Sequence, residues 1–248
     1  MPELPKSLIA IVLSVALVSV VGCGVGDGTG AEGSGENSNL SCYPKCAEVD
    51  LTGEDLSNAF MPNADLRSAR LDDANLSGAN LTQSKAPFAS MLNANLERAT
   101  MPSVLFKNAN MSGVNLKGAN LFGSNLSSSS LADAELGATE LEFADLSLVD
   151  ASGANFTGAN MPRAYLSRSI LKEVNMQGAN LRKADLSFAD MESANLKNAN
   201  LADATLDRAN LKNANLEGAD LDGASLDGVQ WGNTICPNGR KRDSCDTQ

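Results

Sequence analysis

The chain has 248 residues, 43% apolar but only 4% aromatic, with a formal net charge of −11 and no histidine. That acidity argues against a non-specific nucleic-acid binder, which needs a basic face. The lack of histidine removes His-based triads and the commonest general base and metal ligand.

Residues 1–22 read as a signal segment outside the fold. Lys6 gives a thin basic start, and Leu8 to Val21 is an apolar stretch of 14 residues, short for a membrane span. It ends Val20-Val21-Gly22-Cys23, which resembles the bacterial lipobox, where a small residue precedes a Cys that receives lipid and becomes the new N-terminus. The resemblance implies a chain lipidated on Cys23 and anchored at the cell envelope. Gly24, rather than Asp, follows the Cys, so the outer membrane is the expected destination. Residues 23–48 are expected to be a tether. The Gly- and Ser-rich run 24–41 cannot bury enough apolar area to fold, and a pair of cysteines, Cys42 and Cys46, closes it.

From 49 to 233 the sequence keeps one register. Every fifth residue from Leu51 to Trp231 is large and apolar except Ala86 and Ala151. The residue two places earlier is small, as in Ala74-Asn75-Leu76 and Ala179-Asn180-Leu181, and the residue between them is mostly Asn or Asp. A helix would scatter such a column round its cylinder, and a straight strand would put successive leucines on opposite faces. A chain that bends after every unit gives the column one inside. Short fixed repeats of this kind stack into a solenoid, each coil burying its apolar side against its neighbours.

The run Ala-(Asp/Asn)-Leu-X-X resembles the pentapeptide-repeat family over about three-quarters of the chain. The resemblance implies an all-β fold, a right-handed quadrilateral parallel β-helix with four units per coil and about nine coils. With parallel strands about 4.8 Å apart, the rod would be roughly 43 Å long. Residues 20 apart should then stack, which places Ala86 beside Phe106 and makes one outward column of Asn75, Asn95, Asn115, Glu135, Asn155, Asn175, Asn195 and Asn215. Turn support and side-chain ladders are the expected role of that column.

Residues 234–248 are expected to cap the rod. Cys236 and Cys245 lie beyond the repeats, as Cys42 and Cys46 lie before them. In an exported chain an even number of cysteines points to disulfides, and three pairings are possible. A bridge needs Cα atoms within about 7 Å, and the ends of the implied rod are far apart. Cys42–Cys46 and Cys236–Cys245 are therefore favoured, and a metal site from all four is excluded. The ending from Trp231 resembles the C-terminal closure of exported members of the family, and the second bridge is expected to clamp its loop around Trp231.

No catalytic motif, cofactor site or metal site is read from the sequence, and no enzyme activity is expected. Glu140 and Glu142 stand two apart and could sit side by side, and Asp220, Asp222 and Asp227 could gather calcium. Residues 131–150 are an acidic band without Lys or Arg, whereas Arg163, Arg168, Lys172, Arg182 and Lys183 make a basic band beside it. On the fourth side of the coil the outward positions include Phe88, Leu105, Leu148, Tyr165 and Phe188, the candidate interaction surface. The expected function is a lipid-anchored, non-catalytic rod at the envelope, structural or protein-binding, with an unidentified protein partner, no nucleic acid, and possible edge-to-edge self-association. The alternatives are a DNA mimic of the gyrase-binding kind that the family contains, and an envelope polysaccharide enzyme. An export signal and the basic band oppose the DNA mimic.

Overall fold

The computed structural model describes residues 42–242 and Cys245. The expected signal segment, Cys23 and the expected tether up to residue 41 lie outside the described residues.

Parallel bridges join residues 20 apart, from Lys45 with Asp65 through to Asn215 with Ile235. Four units complete one coil. Side 1 carries the central residues 51, 71 and onward, side 2 carries 56, 76 and onward, side 3 carries 61, 81 and onward, and side 4 carries 66, 86 and onward. The central residue and the small residue two before it are buried throughout most of the rod. They form one continuous interior column of Leu, Met, Phe, Val and Ala.

The backbone amides of one unit explain its sequence. Asn75 N donates to Glu54 O in the preceding coil at 2.9 Å, while Leu76 N and Gly78 N donate to Asn95 O and Glu97 O in the next coil at 2.7 and 2.8 Å. Ala79 N closes the corner on Leu76 O at 3.0 Å. The remaining amide, Ser77 N, donates to the Asn75 side-chain oxygen at 3.2 Å. Every N–H of the unit is thereby matched, as a tightly wound backbone demands, and the Asn before each Leu supplies the one acceptor that the backbone lacks. The corner places the second residue after the Leu at positive φ, 68° at Gly78 and 57° at Asn58, the mark of a type II turn.

Turn geometry also limits the strands. Each side contributes one bridging residue, so the ladder consists of single bridges rather than extended strands. The two-residue strands among the described residues are β1 (Thr234–Ile235) and β2 (Lys241–Arg242), paired antiparallel at the C-terminal end.

The repeat runs beyond both expected boundaries. Lys45 already bridges Asp65, and Cys46, buried, takes the place of the central Leu. Residues 42–48 thus belong to the rod rather than to the tether. At the other end Thr234, Ile235 and Cys236 repeat the small–bridging–central pattern, with Ile235 bridged to Asn215. Each end therefore places a cysteine in the interior column and bonds it to a cysteine outside the register: Cys42 with Cys46, and Cys236 with Cys245. Tyr43 reinforces the first end by donating its hydroxyl to Pro62 O at 2.7 Å.

Among the described residues, the loop closed by Cys236 and Cys245 does not surround Trp231. Pro237, Asn238, Arg240 and Arg242 face Ala219 to Ala224 across an open cleft, and Trp231 stays half-buried with Leu226 and Val229. The reason is topological. Cys236 sits on side 2, one corner past Trp231, so the loop leaves toward side 3 instead of turning back over side 1.

Candidate interaction surface

Side 4 differs from side 2, which lies opposite it on the coil. Side 2 is the Asn column. Asn95 donates its amide to Asn75 at 3.2 Å, Asn115 to Asn95 at 3.0 Å and Asn195 to Asn175 at 3.0 Å, and Asn155 donates to Glu135 at 2.8 Å. The same oxygens accept their own corner amides, as Asn95 does from Glu97 N at 3.2 Å. This column is occupied in holding the coils together, the role expected of it.

Side 4 carries no comparable ladder. Its bridging positions run Lys85, Leu105, Asn125, Asp145, Tyr165, Asp185 and Thr205. All five candidate residues are exposed there or at its far corner, from Leu105 at 41% to Phe88 at 66%. The structure divides them. Leu148, Tyr165 and Phe188 occupy adjacent coils, whereas Phe88 and Leu105 lie nearer the N-terminal end, separated from the others by Asn108, Asn125 and Ser128 at the equivalent positions.

The cluster includes residues beyond the candidate set. Phe188 lies between two guanidinium groups, with Arg168 4.9 Å and Arg208 5.4 Å from its ring centroid. These three succeed Leu148 at one corner, one per coil. At the near corner Arg163 lies 5.3 Å from the Phe143 ring, and Phe143 meets Phe122 edge to face at 5.8 Å. Contacts of this kind are favourable even at exposed sites. Reading each corner at a step of 20 residues would have shown the Arg168, Phe188, Arg208 succession.

Ion pairs treat the basic band unevenly. Arg163 pairs with Glu142 at 3.8 Å, Arg182 with Asp203 at 3.4 Å, and Lys172 with Asp190 and Glu192 at 3.3 and 3.7 Å. The two carboxylates beside Lys172 raise its pKa, foremost through the hydrogen bond that its ammonium donates to Asp190. Among the described residues Arg168, Lys183 and Arg208 join no ion pair.

The other candidate groupings do not assemble. Glu140 accepts from Asn160 at 2.6 Å while Glu142 turns to Arg163, so the two carboxylates serve different partners. Asp220, Asp222 and Asp227 are not gathered: among the described residues no three His, Cys, Asp or Glu converge on a common metal position. Nor is any helix among those residues long and apolar enough to cross a membrane.

The family model for pentapeptide repeats matches in eight copies, over residues 45–83, 89–128, 129–168, 159–198 and 189–228. Among solved structures, HetL, a pentapeptide-repeat protein involved in heterocyst differentiation regulation from the cyanobacterium Nostoc sp. strain PCC 7120, is 32% identical. That match covers 80% of this chain and 91% of HetL with a TM-score of 0.67. QnrB1, a plasmid-mediated fluoroquinolone resistance protein, matches at 19% identity over 75% of this chain and 90% of its own, with a TM-score of 0.51, and supports the fold alone. No curated protein matches the chain. With the repeat model spanning most of the rod and the stacking geometry behind it, the chain belongs to the pentapeptide-repeat family and has its right-handed β-helix fold.

Proposed function

We propose that this protein is a non-catalytic rod, held at a bacterial cell envelope by lipid on Cys23, that offers side 4 to a protein partner. The observation that carries the reading is the contrast between sides 2 and 4. The amide column of side 2 is spent on the rod itself, whereas side 4 sets Leu148, Tyr165 and Phe188 outward on adjacent coils. Large exposed apolar groups gathered on one side of a narrow rod mark an interaction surface. The guanidinium groups of Arg168 and Arg208 on the same side oppose the DNA-mimic reading.

The anchor rests on Val20-Val21-Gly22-Cys23, and Gly24 favours the outer membrane. One acyl chain binds a membrane only marginally, whereas several hold it stably. Cys23→Ala should therefore move the protein from the membrane to the soluble fraction without changing its melting temperature. Membrane retention equal to that of the unaltered chain would refute the anchor.

A further inference from the structure

We infer that side 4 between Phe143 and Arg208 docks an acidic segment of a partner protein, one that carries apolar side chains among its carboxylates. The inference rests on the reading of the rod as an interaction protein and names the chemistry of its partner.

The backbone gives the first argument. Phe143, Leu148 and Phe188 stand at the corner position with φ of 58°, 60° and 59°. Glycine and asparagine adopt this region readily, and a bulky side chain there is strained. Burial does not offset the strain, because all three rank among the exposed large apolar residues. Tyr165 gives the second argument. It occupies the position where Asn would accept the corner amide, so Ser167 N has no such acceptor, in contrast to Ser147 N and Ser187 N, which reach Asp145 and Asp185 at 2.9 and 3.0 Å. Arg163, Arg168 and Arg208 stand at the same corners with φ of 58°, 58° and 60°, so on successive coils of this surface large side chains point outward.

Charge identifies the occupant. The chain as a whole carries −11, yet Arg168 and Arg208 are aligned over Phe188 without a carboxylate partner among the described residues. The carboxylates between these corners, on Asp145, Asp185 and Asp207, accept from backbone amides, and Asp227 borders the cleft that Phe188, Asp207 and Arg208 line. Aromatic groups and arginines held in place in advance are the composition of binding hot spots, and ordering them within the rod lowers the entropy lost on docking. Partner carboxylates meet the guanidinium groups, and its apolar side chains lie on Leu148, Tyr165 and Phe188.

The test uses the chain with a fluorescent synthetic peptide alternating Glu with Leu and Phe, and the same peptide with Lys for Glu. Binding is read by anisotropy and folding by thermal melting. The Glu peptide should bind in a salt-sensitive manner and the Lys peptide should not. A Tyr165→Asn, Phe188→Asn variant should lose about tenfold or more in affinity while melting at the same temperature or higher, because both changes restore what the corner favours. Arg168→Glu with Arg208→Glu should abolish binding of the Glu peptide. The inference is overturned if the Asn variant binds unchanged, if it melts lower, or if both peptides bind alike. It is equally overturned if anionic phosphatidylglycerol vesicles bind this side and the Glu peptide does not. None of these outcomes bears on membrane release of the Cys23→Ala variant, which tests the envelope reading separately.

Discussion

Ala86 stands one coil from Phe106 in the interior column of side 4, both sealed from solvent, with Lys85 and Leu105 bridged beside them. A small residue beside a large one keeps the local volume near that of two leucines, as close packing requires. Ala86→Leu alone should destabilise by about 1–3 kcal/mol through overpacking. Phe106→Leu alone should destabilise by about 1 kcal/mol. The double variant should recover much of the sum, with a coupling of about 1 kcal/mol. Urea denaturation of the four proteins measures this, and simple additivity would show that the two sites pack independently.

Ser129 Oγ is buried without a partner among the described residues. Its counterparts at other interior positions are satisfied: Ser84 donates to Met61 O and Ser124 to Met101 O, both at 2.9 Å, and Thr139 donates to Leu136 O at 2.8 Å. Leaving a buried polar group unpaired destabilises by about 1–3 kcal/mol. Ser129→Ala should therefore raise stability by about 1 kcal/mol, whereas Ser124→Ala should lower it by a similar amount. The same sign for both changes would contradict the hydrogen-bond assignment.

Acid should loosen the corners closed by Asp50, Asp55 and Asp65 before those closed by Asn75 and Asn95. Hydrogen bonds from Thr52, Ser57 and Arg67 respectively hold the carboxyls of Asp50, Asp55 and Asp65 below the ordinary aspartate range. A depressed carboxyl stabilises the folded state above its unfolded pKa of about 3.9, and the contribution disappears as pH falls through the lower folded value. Hydrogen exchange at Thr52, Ser57 and Arg67 should rise below about pH 4, ahead of Ser77 and Glu97, whose acceptors are neutral Asn side chains. Simultaneous loss of protection at all five amides would show that the corner carboxylates do not set acid sensitivity.

The C-terminal bridge should protect the side its loop covers. Closing a short loop contributes somewhat under about 3 kcal/mol in the chain-entropy view. In a Cys236→Ser, Cys245→Ser variant, amides of 219–224 should exchange faster and edge-to-edge association should increase, while the middle of the rod stays protected because stability in a solenoid is spread over neighbouring coils. Unchanged exchange at 219–224, with no added light scattering, would show that the bridge does not guard this end.

The interior was legible because each unit repeats one demand: a small residue, a bridging residue and a large apolar residue. Cys46 and Cys236 escaped that reading because a cysteine, not a leucine, fills the interior position at each end. Corner strain was not legible either. Glycine at Gly78 and phenylalanine at Phe88 share the same positive φ, because the ladder fixes the backbone whatever side chain is present. The fourth side is recognisable from its outward apolar residues, whereas Arg168 reads only as a member of the basic band and Arg208 lies outside that band. Their contact with Phe188 links three successive coils, which a reading along the chain does not show.

Thermal melting of two substitutions two residues apart tests the inward–outward assignment most directly. Leu126 is fully buried in the interior column, while Ser128 stands at the exposed corner. A buried charge without a partner destabilises by several kcal/mol, and a corner Asp is tolerated, as Asp133 already shows at φ of 57°. Leu126→Asp should abolish cooperative melting of the middle of the rod, and Ser128→Asp should melt as the unaltered chain does. Indistinguishable melting of the two variants would contradict the architecture.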